Sequence, residues 1–167
     1  MGSVSQATGF QLYNEAQRKR RDESVWTLVQ GVLAPVQFLI FIASVALIVR
    51  YLVTGEGIEI ANISVILKTL VLYAIMITGA IWEKVVFGRF LFADAFFWED
   101  VFSMAVLFLH TLYLYAVWSG GWAPESLMAL ALVAYGVYLI NAAQYLWKFR
   151  LARLGQQAPL SAAGVTS

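Results

Sequence analysis

The chain has 167 residues, 61% of them hydrophobic and 13% charged, with a formal net charge of +1 and a mean hydropathy of +0.75. Soluble domains carry about 25% charged and ~45–50% apolar residues, and a sphere of this size cannot hide so much apolar surface, which excludes a water-soluble globule. With no cysteine and one histidine, disulfide frameworks, thiolate or multi-histidine metal centres, iron–sulfur clusters and cysteine nucleophiles are excluded as well.

Residues 1–24 form a polar N-terminal segment with a basic run, Arg18, Lys19, Arg20 and Arg21. The charge-free stretch that follows, Val25–Val49, exceeds the ~7–15 residues of a signal-peptide core and meets the ~20 needed to span hydrocarbon. Four spans are expected, at about 25–52, 60–84, 95–119 and 125–148. A Gly-rich turn, Thr54–Glu59, separates the first two, and Gly120–Pro124 separates the last two. The second span is apolar apart from Lys68, which is expected to snorkel outward or to pair with a loop carboxylate, and is closed by Glu83 and Lys84. The third has Glu99 and Asp100 near its start and His110 at its middle; the fourth runs into Lys148, Arg150 and Arg153. Residues 154–167 are small and polar and are expected to be a disordered tail.

Uninterrupted apolar runs, without the alternation of barrel strands, are helices. The expected fold class is therefore all-α: an integral membrane antiparallel four-helix bundle within residues 25–153. Four basic residues precede the first span, two (Lys84, Arg89) lie between the second and third, and three follow the fourth, against Arg50 alone on the other side. The positive-inside rule then puts both termini in the cytoplasm. Basic residues so distributed, and glycines without a phosphate-cradling pattern, give nucleic-acid binding no support.

An ionisable residue inside a span costs ~2.5–3.5 kcal/mol on insertion scales, so each one is a functional candidate. Aromatic residues surround the two carboxyls of Phe96-Phe97-Trp98-Glu99-Asp100. Helical spacing puts Glu99, Ser103 and His110 on one face, with Tyr113 on the same side. Aromatic surface and an adjacent like charge both favour the protonated form of such a carboxyl, the form that serves as a general acid. Trp82-Glu83 closes the second span at the same membrane face, so two acidic–aromatic patches converge, with Lys84 and Arg89 between them able to hold a substrate carboxylate. The plain reading is that these charges and aromatics are interface anchors, and that Asp100 favours a helix N-terminus. For His110 the alternatives are an interhelical hydrogen bond, a metal ligand or a proton carrier. Gln30 and Gln37, around Pro35, and the stripe Tyr138, Asn141 and Tyr145 read first as polar glue between helices.

Four stretches carry a resemblance: RRDESVWTLVQGVLAPVQF (Arg20–Phe38), LVLYAIMITGAIWEKVVFG (Leu70–Gly88), FLFADAFFWEDVFSM (Phe90–Met104) and YLINAAQYLWKFRLARL (Tyr138–Leu154). Together they resemble the 3-vinyl bacteriochlorophyllide hydratases of bacteriochlorophyll biosynthesis, over roughly Arg18 to Leu154. The resemblance implies addition of water to the 3-vinyl group of chlorophyllide a, or of the related bacteriochlorophyllide, giving a 3-(1-hydroxyethyl) pigment. It implies no cofactor beyond the magnesium of the substrate, residence in the cell inner membrane or an intracytoplasmic photosynthetic membrane, and pigment exchange with other enzymes of that synthesis. In that setting Glu99 is the expected acid, with Glu83 or Asp100 taking a proton from the attacking water. Trp82, Trp98, Tyr113 and Asn141 would line the pigment, Arg89 or Lys84 would meet its propionate, and His110 is a candidate axial ligand of its magnesium, as is water. A non-catalytic pigment-binding or photosystem assembly protein, and a small proton-coupled transporter, are the competing readings of the same residues.

Overall fold

A computed structural model describes residues 12–163, with side chains described up to residue 154. It contains five helices: α1 Glu15–Glu23, α2 Val25–Thr54, α3 Ile58–Phe87, α4 Phe97–Ser119 and α5 Pro124–Ala163. Four of them, α2 to α5, are long and apolar enough to cross a membrane, close to the spans read from the sequence. The all-helical class is as expected. Two boundaries differ. Helix α1 lies inside the segment read only as polar, and α5 continues to Ala163, into the stretch assigned to the tail; residues 1–11 and 164–167 lie outside the described residues.

Helix α1 forms because its start is capped twice. The Gln17 N–H donates to Asn14 Oδ1 at 2.8 Å and the Asn14 N–H donates to Gln17 Oε1 at 2.9 Å, a reciprocal arrangement that satisfies two otherwise orphaned donors. Ser24 ends α1 with an extended backbone and caps α2 by accepting the Trp26 N–H at 3.2 Å. Helices α2 and α3 are joined through Gly55 (φ 74°) and Gly57 (φ 87°), left-handed positions that glycine adopts without steric cost. Pro35 sits inside α2 without ending it.

Helix α2 packs along α3 and α4 along α5, while the α3–α4 and α2–α5 seams are in sparser contact and α1 lies against α3. The main core joins Phe41 and Ile48 of α2, Val65 and Leu72 of α3, Val106 and Tyr113 of α4, and Met128, Ala131 and Tyr135 of α5. Outward positions are equally apolar: Leu28, Val53, Ile63, Phe108, Trp118 and Leu146 are all exposed.

Hydroxyls and amides knit the helices from within. Ser44 Oγ lies 2.7 Å from both Ser64 Oγ and Tyr135 OH, and Gln30 Nε2 donates to Thr78 Oγ1 at 2.7 Å. Lys68 departs from expectation. It neither snorkels nor pairs with a loop carboxylate: its exposure is 0%, its Nζ lies 3.9 Å from the centre of the Tyr138 ring, and it has no hydrogen-bond partner. The reason is rotational. Lys68 follows Val65 by three residues and precedes Leu72 by four, so it belongs to the buried stripe of α3.

Candidate functional site

At the end of α3 and the start of α4 the chain makes a compact aromatic connection. Gly88 (φ 85°) stops α3, and the segment 89–96 returns over the helix end so that Phe96, with 0% exposure, plugs the space between α3 and α5. Phe96 packs edge-on against Trp82 and Phe87 and stacks on Tyr145. From the N-terminal segment, Tyr13 stacks on Phe87. Burial pushes the Tyr13 hydroxyl up to about 12 despite the nearby Arg21, so this wall of the site adds no charge near neutral pH.

Behind that aromatic plug lie three carboxyls: Glu83 and Glu99 with 5% exposure each, and Asp100 with 2%. The Glu83 and Asp100 carboxyls are neighbours across α3 and α4, an arrangement in which one proton can bridge them, since two ionised carboxylates have no donor between them. Backbone donors hold the pair from the connection: Phe92 N–H reaches Asp100 Oδ2 at 2.7 Å and Ala93 N–H reaches Glu83 Oε2 at 3.3 Å. Phe92 has φ 58°, a left-handed conformation that an aromatic residue adopts only under constraint, in the same turn whose N–H groups bond the two carboxyls. Tyr145 OH donates to Asp100 Oδ1 at 3.4 Å, and Asn141 Nδ2 donates to Ser103 Oγ at 2.8 Å, extending the network along α4 and α5.

Glu99 is engaged differently. Lys148 Nζ, from α5, lies 2.5 Å from Glu99 Oε2 and also donates to the Ala95 carbonyl, tying α5 to the connection and to the first turn of α4. Of the residues singled out in the sequence, Glu83, Glu99, Asp100 and Asn141 are thus all buried on the inner faces of α3 to α5, with Trp82 in the aromatic wall and its indole N–H donated to Thr27 Oγ1 at 2.9 Å. Lys84 and Arg89 lie at the rim: Lys84 donates to the Gly88 carbonyl at 2.9 Å, and Arg89 pairs with the exposed Asp94 at 3.5 Å. Trp98 is 66% exposed and points away from the carboxyls.

Glu99, Ser103, His110 and Tyr113 do share the buried face of α4, yet Tyr113 is thirteen residues from Asp100, about 20 Å along the axis. It bonds to Asn62 Oδ1 at 2.6 Å instead. His110 is also remote from the carboxyls. Its Nδ1 donates to the Val106 carbonyl at 2.8 Å, and its Nε2 is buried without a partner. Sequence reasoning placed Phe96 among the aromatics around the carboxyls but did not assign Lys148 or Tyr145 to the site. Tyr145 did show as part of a polar stripe, and a lysine one turn beyond it on α5 was the signal for Lys148.

No solved structure matches the chain. The sequence profile described as 2-vinyl bacteriochlorophyllide hydratase matches residues 13–151. A protein of Cereibacter sphaeroides named 2-vinyl bacteriochlorophyllide hydratase is 60% identical over 148 residues, covering 88% of this chain and 91% of its own. A Rhodobacter capsulatus protein of the same name is 61% identical over 144 residues, 86% of this chain and 83% of its own. A profile match over most of the chain and relatives of this similarity leave one assignment: the chain belongs to the 2-vinyl bacteriochlorophyllide hydratase family, a family of hydro-lyases acting in bacteriochlorophyll synthesis.

Proposed function

We propose that the protein adds water to the vinyl group of chlorophyllide a, and of the related bacteriochlorophyllide, giving the 1-hydroxyethyl pigment. The relatives' names count the vinyl-bearing carbon as 2, and the macrocycle numbering used above counts it as 3; both are taken to mean the same group. The reading includes an antiparallel four-helix bundle in the cell inner membrane or an intracytoplasmic photosynthetic membrane, with both termini cytoplasmic. Its supports are the apolar exterior of α2 to α5 and the basic residues gathered on one side.

The observation that carries the mechanism is the Glu83–Asp100 pair, two neighbouring carboxyls enclosed by aromatic surface; the reading gives them one shared proton. The pair gives that proton to the terminal vinyl carbon. The cation forms on the carbon attached to the ring, where the macrocycle delocalises it, so water adds there. As the new C–O bond forms, the water's proton returns to the carboxylates and restores the pair. One site is acid and then base, as carboxyl dyads allow. Glu99 is committed to Lys148, so the acid role passes from Glu99 to the pair, and the Glu99–Lys148 bridge fixes the wall beside it.

Arg89 and Lys84, at the rim, are placed for the pigment's propionate, with Trp82 in the wall beside the carboxyls. His110 stands as candidate axial ligand of the substrate's magnesium: with Nδ1 bonded to Val106, its tautomer leaves a lone pair on Nε2, which is buried inside the bundle without a partner. To reach it the ring must enter between α3 and α4.

The test is to give chlorophyllide a to membranes from cells expressing only this chain, in water enriched in oxygen-18. The expected product is blue-shifted in absorption and heavier by one labelled water. Pigment bound but unchanged supports a carrier and overturns the catalytic reading.

A further inference from the structure

The α3–α4 seam holds an open groove of about 320 Å³ lined by Tyr73, Met76 and Ile77 of α3 and by Leu107 and Thr111 of α4. Its walls are apolar except at one end, where Tyr73 OH and Thr111 Oγ1 meet at 2.8 Å. The pair is satisfied within the protein, Tyr73 OH by Thr111 and Thr111 by the Leu107 carbonyl, and the tyrosine oxygen keeps room to exchange its partner for a ligand at the groove's edge. The groove is also collinear with the carboxyl pair. Met76 and Glu83 are seven residues apart, as are Asp100 and Leu107, so each pair is two turns apart on one helix face. From the hydroxyls to the carboxyls the axial distance is about 15 Å on α3 (Tyr73 to Glu83) and about 16 Å on α4 (Asp100 to Thr111). Two polar bridges therefore cross the same sparsely packed seam at matching levels, with an apolar trough between them.

We propose that this groove seats the chlorin plane edge-on from the lipid, with the vinyl group at Glu83–Asp100 and the ring's keto carbonyl at Tyr73. The inference rests on the hydration reading above. It follows from the substrate's shape: the keto carbonyl lies diagonally across the macrocycle from the vinyl group, and the side chains at both ends shorten the 15–16 Å span toward that diagonal. Thr111 donates its own hydroxyl proton to the Leu107 carbonyl at 2.7 Å, so Tyr73 is the donor to Thr111 and is the hydroxyl that can turn its proton to the ligand. A volume near 320 Å³ is at the small end for ligand sites and suits a ring half embedded in protein and half in lipid.

The experiment measures hydration kinetics of Tyr73→Phe/Thr111→Val and Met76→Trp in the full chain. Loss of one hydrogen bond to the carbonyl predicts a KM raised about five- to tenfold with kcat within about twofold of wild type. With a pigment whose keto group is reduced to the alcohol, the double variant and wild type should converge. Met76→Trp fills the trough and should raise KM at least tenfold. Because the chain has no cysteine, Ile77→Cys also gives a unique label: chlorophyllide should slow its reaction with a maleimide, and leave Val53→Cys on the α2 surface unaffected. An unchanged KM in the double variant, or no protection at position 77 while wild type hydrates, overturns the groove assignment and leaves it to lipid. A wild-type chain that does not hydrate the pigment overturns the hydration reading instead.

Discussion

Replacing Asp100 by asparagine tests the carboxyl pair with little structural disturbance. The carboxyl accepts from Phe92 N–H at 2.7 Å through Oδ2 and from Tyr145 OH through Oδ1. An amide keeps one oxygen for Phe92 N–H and puts its NH₂ in place of Oδ1, where it can donate to Glu83 while Tyr145 OH loses its acceptor, so stability should change by no more than about 2 kcal/mol. The amide holds no transferable proton. Loss of a general acid lowers rates by ~10²–10⁴, equivalent to ~3–5.5 kcal/mol of barrier, which is above the structural term. Glu83→Gln, whose amide oxygen can still accept from Ala93 N–H, should fall in the same range. Glu99→Gln breaks the 2.5 Å contact to Lys148 without touching the shared proton, and should lower kcat less than about tenfold. The assay is hydration of chlorophyllide a in membranes, normalised to folded protein. If Asp100→Asn or Glu83→Gln retained activity within threefold of wild type, the shared-proton mechanism would be wrong; if Glu99→Gln alone abolished it, Glu99 would be the acid.

Lys148→Met leaves Glu99, with a side chain 7% exposed, without its ammonium. Because Lys148 is itself partly exposed, the loss should be about 2–3 kcal/mol rather than the full cost of a buried pair, read as a thermal midpoint lower by roughly 4–12 °C in detergent. Lys68→Met removes a buried, unpartnered ammonium and should stabilise the fold by about 1–3 kcal/mol; a lower midpoint would mean that Lys68 has a partner. Ser44→Ala strands Tyr135 OH in the core and should cost about 1–2 kcal/mol, measured by the same unfolding. Fluorescent tags at either end should be reached by a quencher only from the cytoplasmic side of sealed vesicles; access from the opposite side would invert the topology.

The four long helices were legible because a bilayer demands length and apolar continuity, both one-dimensional properties. Helix α1 was equally legible in principle, through the Asn14–Gln17 capping pair, but a short polar helix lacks the hydropathy signal that exposes the others. The rotation of α3 was not legible. On a helix apolar all round nothing marks which stripe faces inward, so Lys68 could be read as snorkelling when it is buried. On α4 the polar residues mark the inner stripe themselves, and Glu99, Ser103 and His110 fell on it as expected. What periodicity cannot supply is depth and partnership: Tyr113 shares the stripe but sits three to four turns away, and the Glu99–Lys148 contact joins residues 49 apart on different helices.

In the proposed mechanism, a shared proton also accounts for the way the connection between α3 and α4 is built. When the pair protonates the vinyl group, negative charge appears on two adjacent carboxylates in a dry site, while positive charge appears on the pigment. Net charge is unchanged, so the barrier depends on how well the separated charges are held. Phe92 and Ala93 N–H already point at Asp100 and Glu83, and such preoriented donors need no rearrangement as charge develops. In that mechanism the strained φ of Phe92 is the folding cost of a turn that presents both donors. Lys148, by neutralising Glu99 rather than standing free, keeps a third negative charge from opposing the dianion. Helix-end carboxyls, a strained turn and a lysine from a distant helix then form one device: a proton store that can empty and refill at the edge of a lipid-like interior.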